Sequence, residues 1–287
     1  MLDTLPSRTA LATAFLRAVH VRLDDPPPVF DDPIAYQLLP SNLRRFIGRR
    51  AALPPVFAVP FRLADPAGLA MRAQIVVRAR YAEDCLAAAR PDGLGRYVVL
   101  GAGLDTFALR QRQPAIPVVE VDHPATQAWK QRLLLQRGIA SPPELSFVPV
   151  DFEKTRLEDA WVDSAQPDFL SWLGTTYYLS RAGIRSTLET LAERTTSGSQ
   201  LVLDYWTERP GRPFSPLLLG MRIAVASQGE PMRSFFGRGE IETLAQEAGW
   251  TVVENLWPAE QIRRYLAYRR DGLRVPVFAN LLRLRKG

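Results

Sequence analysis

The 287-residue sequence predicts an α/β fold: a parallel sheet covered on both faces by helices, behind a helical N-terminal cap. Three observations point there. From Arg96 onward, short apolar segments alternate with helical ones, the pattern of strands that each lead into a crossover. The residues before Arg96 read as helices, broken by the run Asp24-Asp25-Pro26-Pro27-Pro28. Between the apolar run Val98-Val99-Leu100 and the helix expected to open near Asp105 lies the turn Gly101-Ala102-Gly103. The boundaries that follow are a cap over 1–95 and a sheet domain over 96–287.

In the cap, Ser7 opens an apolar-periodic run to His20. Asp32-Pro33 opens a second helix near Ile34 to Ile47, and Asp65-Pro66 a third reaching Ala89, each with proline at a first-turn position. Three helices are therefore expected before the first strand. Strands are placed at 97–100, 118–121, 145–150, 168–172, 200–205, 251–255 and 279–284, and helices at 125–137, 156–162, 181–195 and 239–248. Gly249 supplies a left-handed stop to the last helix. The segment 207–238, rich in Pro, Gly and Arg, is too long for a plain connection and is read as a lid or substrate insertion.

Composition narrows the function. The net charge is +6, but the arginines are scattered, without a basic block or interleaved aromatics, which argues against a nucleic-acid partner. The sequence has no apolar run long enough to span a membrane, and its first residues mix charge into apolar stretches, so a cytoplasmic protein with no membrane partner is expected. The one cysteine, Cys85, excludes a disulfide framework and a cysteine-rich zinc site, and reads as a small core residue. No His or carboxylate cluster has metal-ligand spacing, so no metal is expected.

The glycine turn lets backbone approach a ligand, and a following helix N-terminus would offer N–H groups. Thr106 stands where a dinucleotide fingerprint has its third glycine, which favours a cofactor without a pyrophosphate over NAD. The second strand ends Val119-Glu120-Val121-Asp122, with both acids on one face and suited to ribose hydroxyls. The third ends Val150-Asp151-Phe152, where Asp151 can accept from an adenine amino group and Phe152 can offer an apolar face. A helix N-cap is the alternative role for Asp151.

These stretches, with Phe30-Asp31-Asp32-Pro33, Arg78-Ala79-Arg80-Tyr81, Val119-Glu120-Val121-Asp122-His123-Pro124, Trp172-Leu173-Gly174-Thr175-Thr176-Tyr177-Tyr178 and Asp204-Tyr205, resemble the leucine carboxyl methyltransferase family, in its bacterial S-adenosylmethionine-dependent branch. The similarity runs in order along nearly the whole chain. It implies a class I methyltransferase (Rossmann-like) sheet of seven strands, the last antiparallel, with S-adenosyl-L-methionine as cofactor. It also implies that Arg78, or else Arg80, pairs with the cofactor's methionine carboxylate. Gly101, Ala102, Gly103 and Asp105 would then cradle the cofactor, Glu120 and Asp122 its ribose, and Asp151 and Phe152 its adenine. Leu173 stands where much of the family has glutamate, so any contact of that carboxylate is missing here.

The expected activity is O-methylation of a small-molecule carboxylate or hydroxyl, within secondary metabolism; an NAD-dependent oxidoreductase and a non-catalytic cofactor-binding protein are the alternatives. A carboxylate, with a solution pKa of about 4, arrives ionised, whereas a hydroxyl near or above about 10 needs a base. Candidates for that role are His20, Tyr177, Tyr178 and Tyr205, while His123 is read as structural and Trp172 and Trp206 as core or wall. Arg222 and Arg233, in the insertion, are candidates to meet an anionic substrate.

Overall fold

The strands are β1 (Arg96–Leu100), β2 (Val118–Asp122), β3 (Leu145–Pro149), β4 (Asp168–Trp172), β5 (Gln200–Trp206), β6 (Trp250–Leu256) and β7 (Ala279–Lys286). In this computed structural model, which describes residues 7–52, 66–112, 114–152, 157, 160–161, 163–208, 219 and 231–287, they form one sheet in the order β3-β2-β1-β4-β5-β7-β6. β1 to β5 are parallel, and β7 runs antiparallel between β5 and β6. Every expected strand is present, and the antiparallel last strand is that of the class I methyltransferase sheet. Strand order reverses between β1 and β4, and in open α/β sheets the crevice at that point, beyond the carboxyl ends, is where ligands bind.

The helices are α1 (Arg8–Leu23), α2 (Pro33–Leu38), α3 (Ser41–Ala51), α4 (Pro66–Ala89), α5 (Phe107–Arg110), α6 (Pro124–Arg137), α7 (Arg181–Arg194), α8 (Glu240–Glu247) and α9 (Pro258–Tyr265). Alternation along the strands divides the core. Tyr97 and Val99 of β1 pack with Val76 and Val77 of α4, while Val98 and Leu100 pack with Ile184 and Leu188 of α7. A third cluster joins Ala14 and Ala18 of α1, Leu38 of α2 and Ile47 of α3 to Leu104 of the glycine turn and Leu134 of α6. The cap therefore packs directly on the turn.

Some expected boundaries change. The second cap helix is two helices, because Leu39 is extended before Pro40, which cannot continue the ladder, and Ser41 restarts it. Four described α-helices precede β1 rather than three. Only a single helical turn, α5, follows the glycine turn, ending at extended Gln111. The amphipathic α9, between β6 and β7, was not anticipated; Pro258 occupies its first turn. The helix expected over 156–162 falls largely outside the described residues, as do the centre of the 207–238 insertion and Arg222. The two arms of that insertion are pinned together: the Phe236 N–H donates to the Trp206 carbonyl at 3.0 Å, and the Glu208 N–H to the Phe236 carbonyl at 3.2 Å. Among the described residues, no helix is long and apolar enough to cross a membrane.

Candidate active site

A cavity of about 360 Å³ opens at the carboxyl ends of β1, β2 and β4, beneath α1 and α4. Its floor is the glycine turn. The N–H groups of Gly101 and Ala102 both point at the Val121 carbonyl, which fastens the turn to β2. Gly101 sits at φ +66°, and a Cβ there would lie 2.3 Å from Thr175 Oγ1, so the residue must be glycine both for its backbone conformation and for the close approach of the loop after β4.

At the β2 and β3 end, Asp122 lines the cavity. One carboxylate oxygen accepts the Gly103 N–H and the other the His123 N–H, the latter at 2.6 Å. Burial raises this carboxyl above its ordinary value, opposed by those same two N–H groups. Asp105, Asp151 and Phe152 also line the cavity. Glu120 does not. It is 1% exposed and turned away beneath the turn, where Lys130 Nζ donates to its Oε2 at 2.5 Å. Burial pushes its carboxyl up to about 7, against the pull of Lys130. The expectation that Glu120 faces a ribose is corrected on that ground: it shares a strand face with Asp122, but one residue pair earlier that face is covered by α6.

At the β4 end stands Arg78 of α4. Its Nη1 donates to Asp204 Oδ2 at 2.9 Å and to the Tyr177 hydroxyl at 3.0 Å. Burial works against its charge, but Tyr177 and Asp204 push it above its ordinary value, so it stays a cation. Arg80, one residue pair along the helix, is exposed and paired with Asp84 at 2.7 Å, away from the cavity. Gly174, at φ +78°, leaves room for the guanidinium, since a Cβ there would lie 2.6 Å from Arg78 Nη2. The Gly174 N–H also donates to Asp204 Oδ1 at 2.6 Å. Asp204, to which sequence reasoning gave no role, thus positions both sides of this corner; its place near the end of a buried strand was the available signal.

The four candidate bases separate. His20 is 1% exposed and outside the cavity: its Nδ1 lies 2.7 Å from Asp24 Oδ2, and its Nε2 accepts the Val29 N–H at 2.8 Å. An Nε2 that accepts leaves the proton on Nδ1, facing Asp24, so His20 closes the loop after α1 and has no lone pair for a substrate. Tyr205 points to the opposite face of the sheet, bonded to Asn255 and pushed by burial up to about 12. Tyr177 is buried under Arg78, and only Tyr178 lines the cavity. His123, at the other end, caps α6: its Nδ1 accepts the Ala125 N–H at 3.2 Å, and its Nε2 faces Asp151 Oδ2 at 3.7 Å. Trp172 and Trp206 are core residues. Thr9, Thr13 and Arg17 of α1, to which sequence reasoning gave no role, line the cavity.

The leucine carboxyl methyltransferase family model matches residues 10–192. YktD of Bacillus subtilis, which bears the name of an S-adenosyl-L-methionine-dependent methyltransferase, is 34% identical over 93% of both chains. The chain belongs to the leucine carboxyl methyltransferase family, and with it to the S-adenosylmethionine-dependent methyltransferases. A protein of Mycobacteroides abscessus with the same designation is 31% identical over 96% of this chain and 90% of its own. Among solved structures, magnesium protoporphyrin IX methyltransferase from Synechocystis aligns with a TM-score of 0.48 at 12% identity, covering 74% of this chain and 84% of that one. Family membership decides against the oxidoreductase reading; Thr106, at the third glycine position, is buried and accepts from Arg110 Nε at 3.0 Å.

Proposed function

We propose that this methyltransferase acts on an oxygen of a small-molecule acceptor, a carboxylate in preference to a hydroxyl. The observation that supports this is the state of the histidines. Each already accepts a backbone N–H, His20 from Val29 and His123 from Ala125, so neither offers a lone pair to a protonated nucleophile. A carboxylate is ionised without help.

The cavity's chemistry fits S-adenosylmethionine along its length. Arg78 suits the methionine carboxylate at one end; Asp122 suits ribose hydroxyls, and Asp151 and Phe152 an adenine edge and face, at the other. Gly101, Ala102, Gly103 and Asp105 supply the floor between them. The bound cofactor supplies an electrophilic methyl group. The chain's own task is then alignment and exclusion of water. Leu173 and Tyr178 line the end beyond Arg78, and Arg233, whose N–H is anchored on the Tyr177 carbonyl at 2.7 Å, brings a positive charge to the same end. An apolar wall beside a cation suits an amphipathic acid.

The test is incubation with methyl-labelled S-adenosylmethionine and a fractionated host extract, followed by mild alkali. A carboxylate product is a methyl ester and releases labelled methanol. Label that stays bound after alkali would assign an ether or amine product and overturn the carboxylate reading.

A further inference from the structure

The two carbonyl groups that follow Gly103 are both held by buried cations, and the two cations come from different layers. Lys130 of α6 donates from Nζ to the Asp105 carbonyl at 2.6 Å and to Glu120 Oε2 at 2.5 Å, with Nζ and the carboxylate both sealed from solvent. Arg17 of α1 donates from Nη2 to the Leu104 carbonyl at 2.5 Å, while its Nε is paired with buried Asp32 at 2.8 Å. A charged donor on a neutral carbonyl is a strong hydrogen bond, and at low dielectric it fixes the peptide plane it touches. Fixing the planes after Leu104 and Asp105 fixes the turn leading out of Gly103, whose N–H holds Asp122.

Neutralising Glu120 would not require this arrangement. A lysine that merely balanced a buried carboxylate has no need to reach a turn carbonyl as well, and a buried ion pair contributes little net stability compared with neutral residues of similar size. We infer that Lys130, with Glu120 as its counter-ion, is a positioning residue for cofactor binding, acting through the Asp105 carbonyl, and that Arg17 does the same from the cap through the Leu104 carbonyl. Glu120 therefore acts from behind the turn, orienting the lysine that orients the loop. This rests on the reading that the glycine turn and Asp122 hold the cofactor.

The discriminating comparison is between Lys130→Met and the double variant Lys130→Met/Glu120→Gln, in the full-length protein, with S-adenosylhomocysteine as probe. The single variant leaves a buried acid without its partner, ionised or forced to protonate, so both its melting temperature and its affinity fall. In the double variant the unpartnered acid is gone and the melting temperature recovers, but the Asp105 carbonyl is still unheld, so the dissociation constant by calorimetry stays at least tenfold above the parent. Recovery of affinity together with stability would reduce Lys130 to a charge partner and overturn the inference. Should the double variant fail to fold, Lys130→Arg decides: it keeps the charge but displaces the donor, and is expected to bind at least threefold more weakly, whereas parent-like binding overturns the proposal. A parent protein that does not bind S-adenosylhomocysteine at all would instead overturn the assignment of the cavity as the cofactor site.

Discussion

At the scale of single residues, two buried polar groups govern what the chain tolerates. His20 closes the loop after α1 with both ring nitrogens, so His20→Ala strands the Val29 N–H. The expected cost is about 1–3 kcal/mol of stability, the range for an unsatisfied buried donor, with turnover of the folded variant within a few-fold of the parent. Urea unfolding together with single-turnover methylation of the identified acceptor measures both; a hundredfold catalytic loss in folded protein would return His20 to the chemistry. Glu120 controls a pH dependence. Its carboxyl lies near 7 in the folded protein against an ordinary 4.5, so it contributes stability that is fully present below about pH 4.5 and is lost as pH rises through about 7. Between pH 5 and pH 8 the parent should therefore lose stability relative to Glu120→Gln, by on the order of a few kcal/mol. Parallel stability profiles for the two proteins would contradict the raised value.

At the scale of elements, the site depends on loops meeting at close quarters. The turn after β1 and the loop after β4 approach so closely at Gly101 and Thr175 that any side chain at 101 must displace one of them. Gly101→Ala should reduce cofactor affinity at least tenfold and lower the melting temperature. Adding Thr175→Ala removes the atom 2.3 Å away and should restore part of the affinity, while the strain of alanine at φ +66° remains. Calorimetric titration of the single and double variants with S-adenosylhomocysteine checks this. If Thr175→Ala gives no relief, the contact is not what limits position 101. The cap belongs to the same unit, since α1 packs Ala14 and Ala18 into the cluster that holds Leu104 and also places Thr13 and Arg17 on the cavity wall.

At the scale of the whole molecule, binding across the cavity ties cap, turn and sheet together, so a ligand that fits raises the unfolding temperature of the entire chain. S-adenosylhomocysteine at a hundred times its dissociation constant should add about 2.7 kcal/mol, a shift of several degrees, whereas NAD should add nothing. A thermal-shift comparison of the two ligands decides; stabilisation by NAD alone would be incompatible with the site as described.

The strands, the glycine turn and the acids at the ends of β2 and β3 were legible in the sequence because each is written locally: alternation, proline and glycine punctuation, and the spacing of a strand that leads into a turn. The break at Pro40 was legible in principle, since proline after an extended residue ends a helix. Which of two acids on one strand face meets the cavity was not. Glu120 and Asp122 are equivalent by alternation, and only Lys130, arriving from α6, covers one of them. His20, Tyr177 and Tyr205 looked alike as candidate bases until the fold brought up Val29, Arg78 and Asn255 to engage them. The sequence by itself determined the order of elements and the residue types available at the carboxyl edge of the sheet. The tertiary structure alone decided which of those groups keep an open face toward the cavity, because the partner that buries or orients a polar side chain comes from a segment distant in the chain, and no local pattern records that meeting.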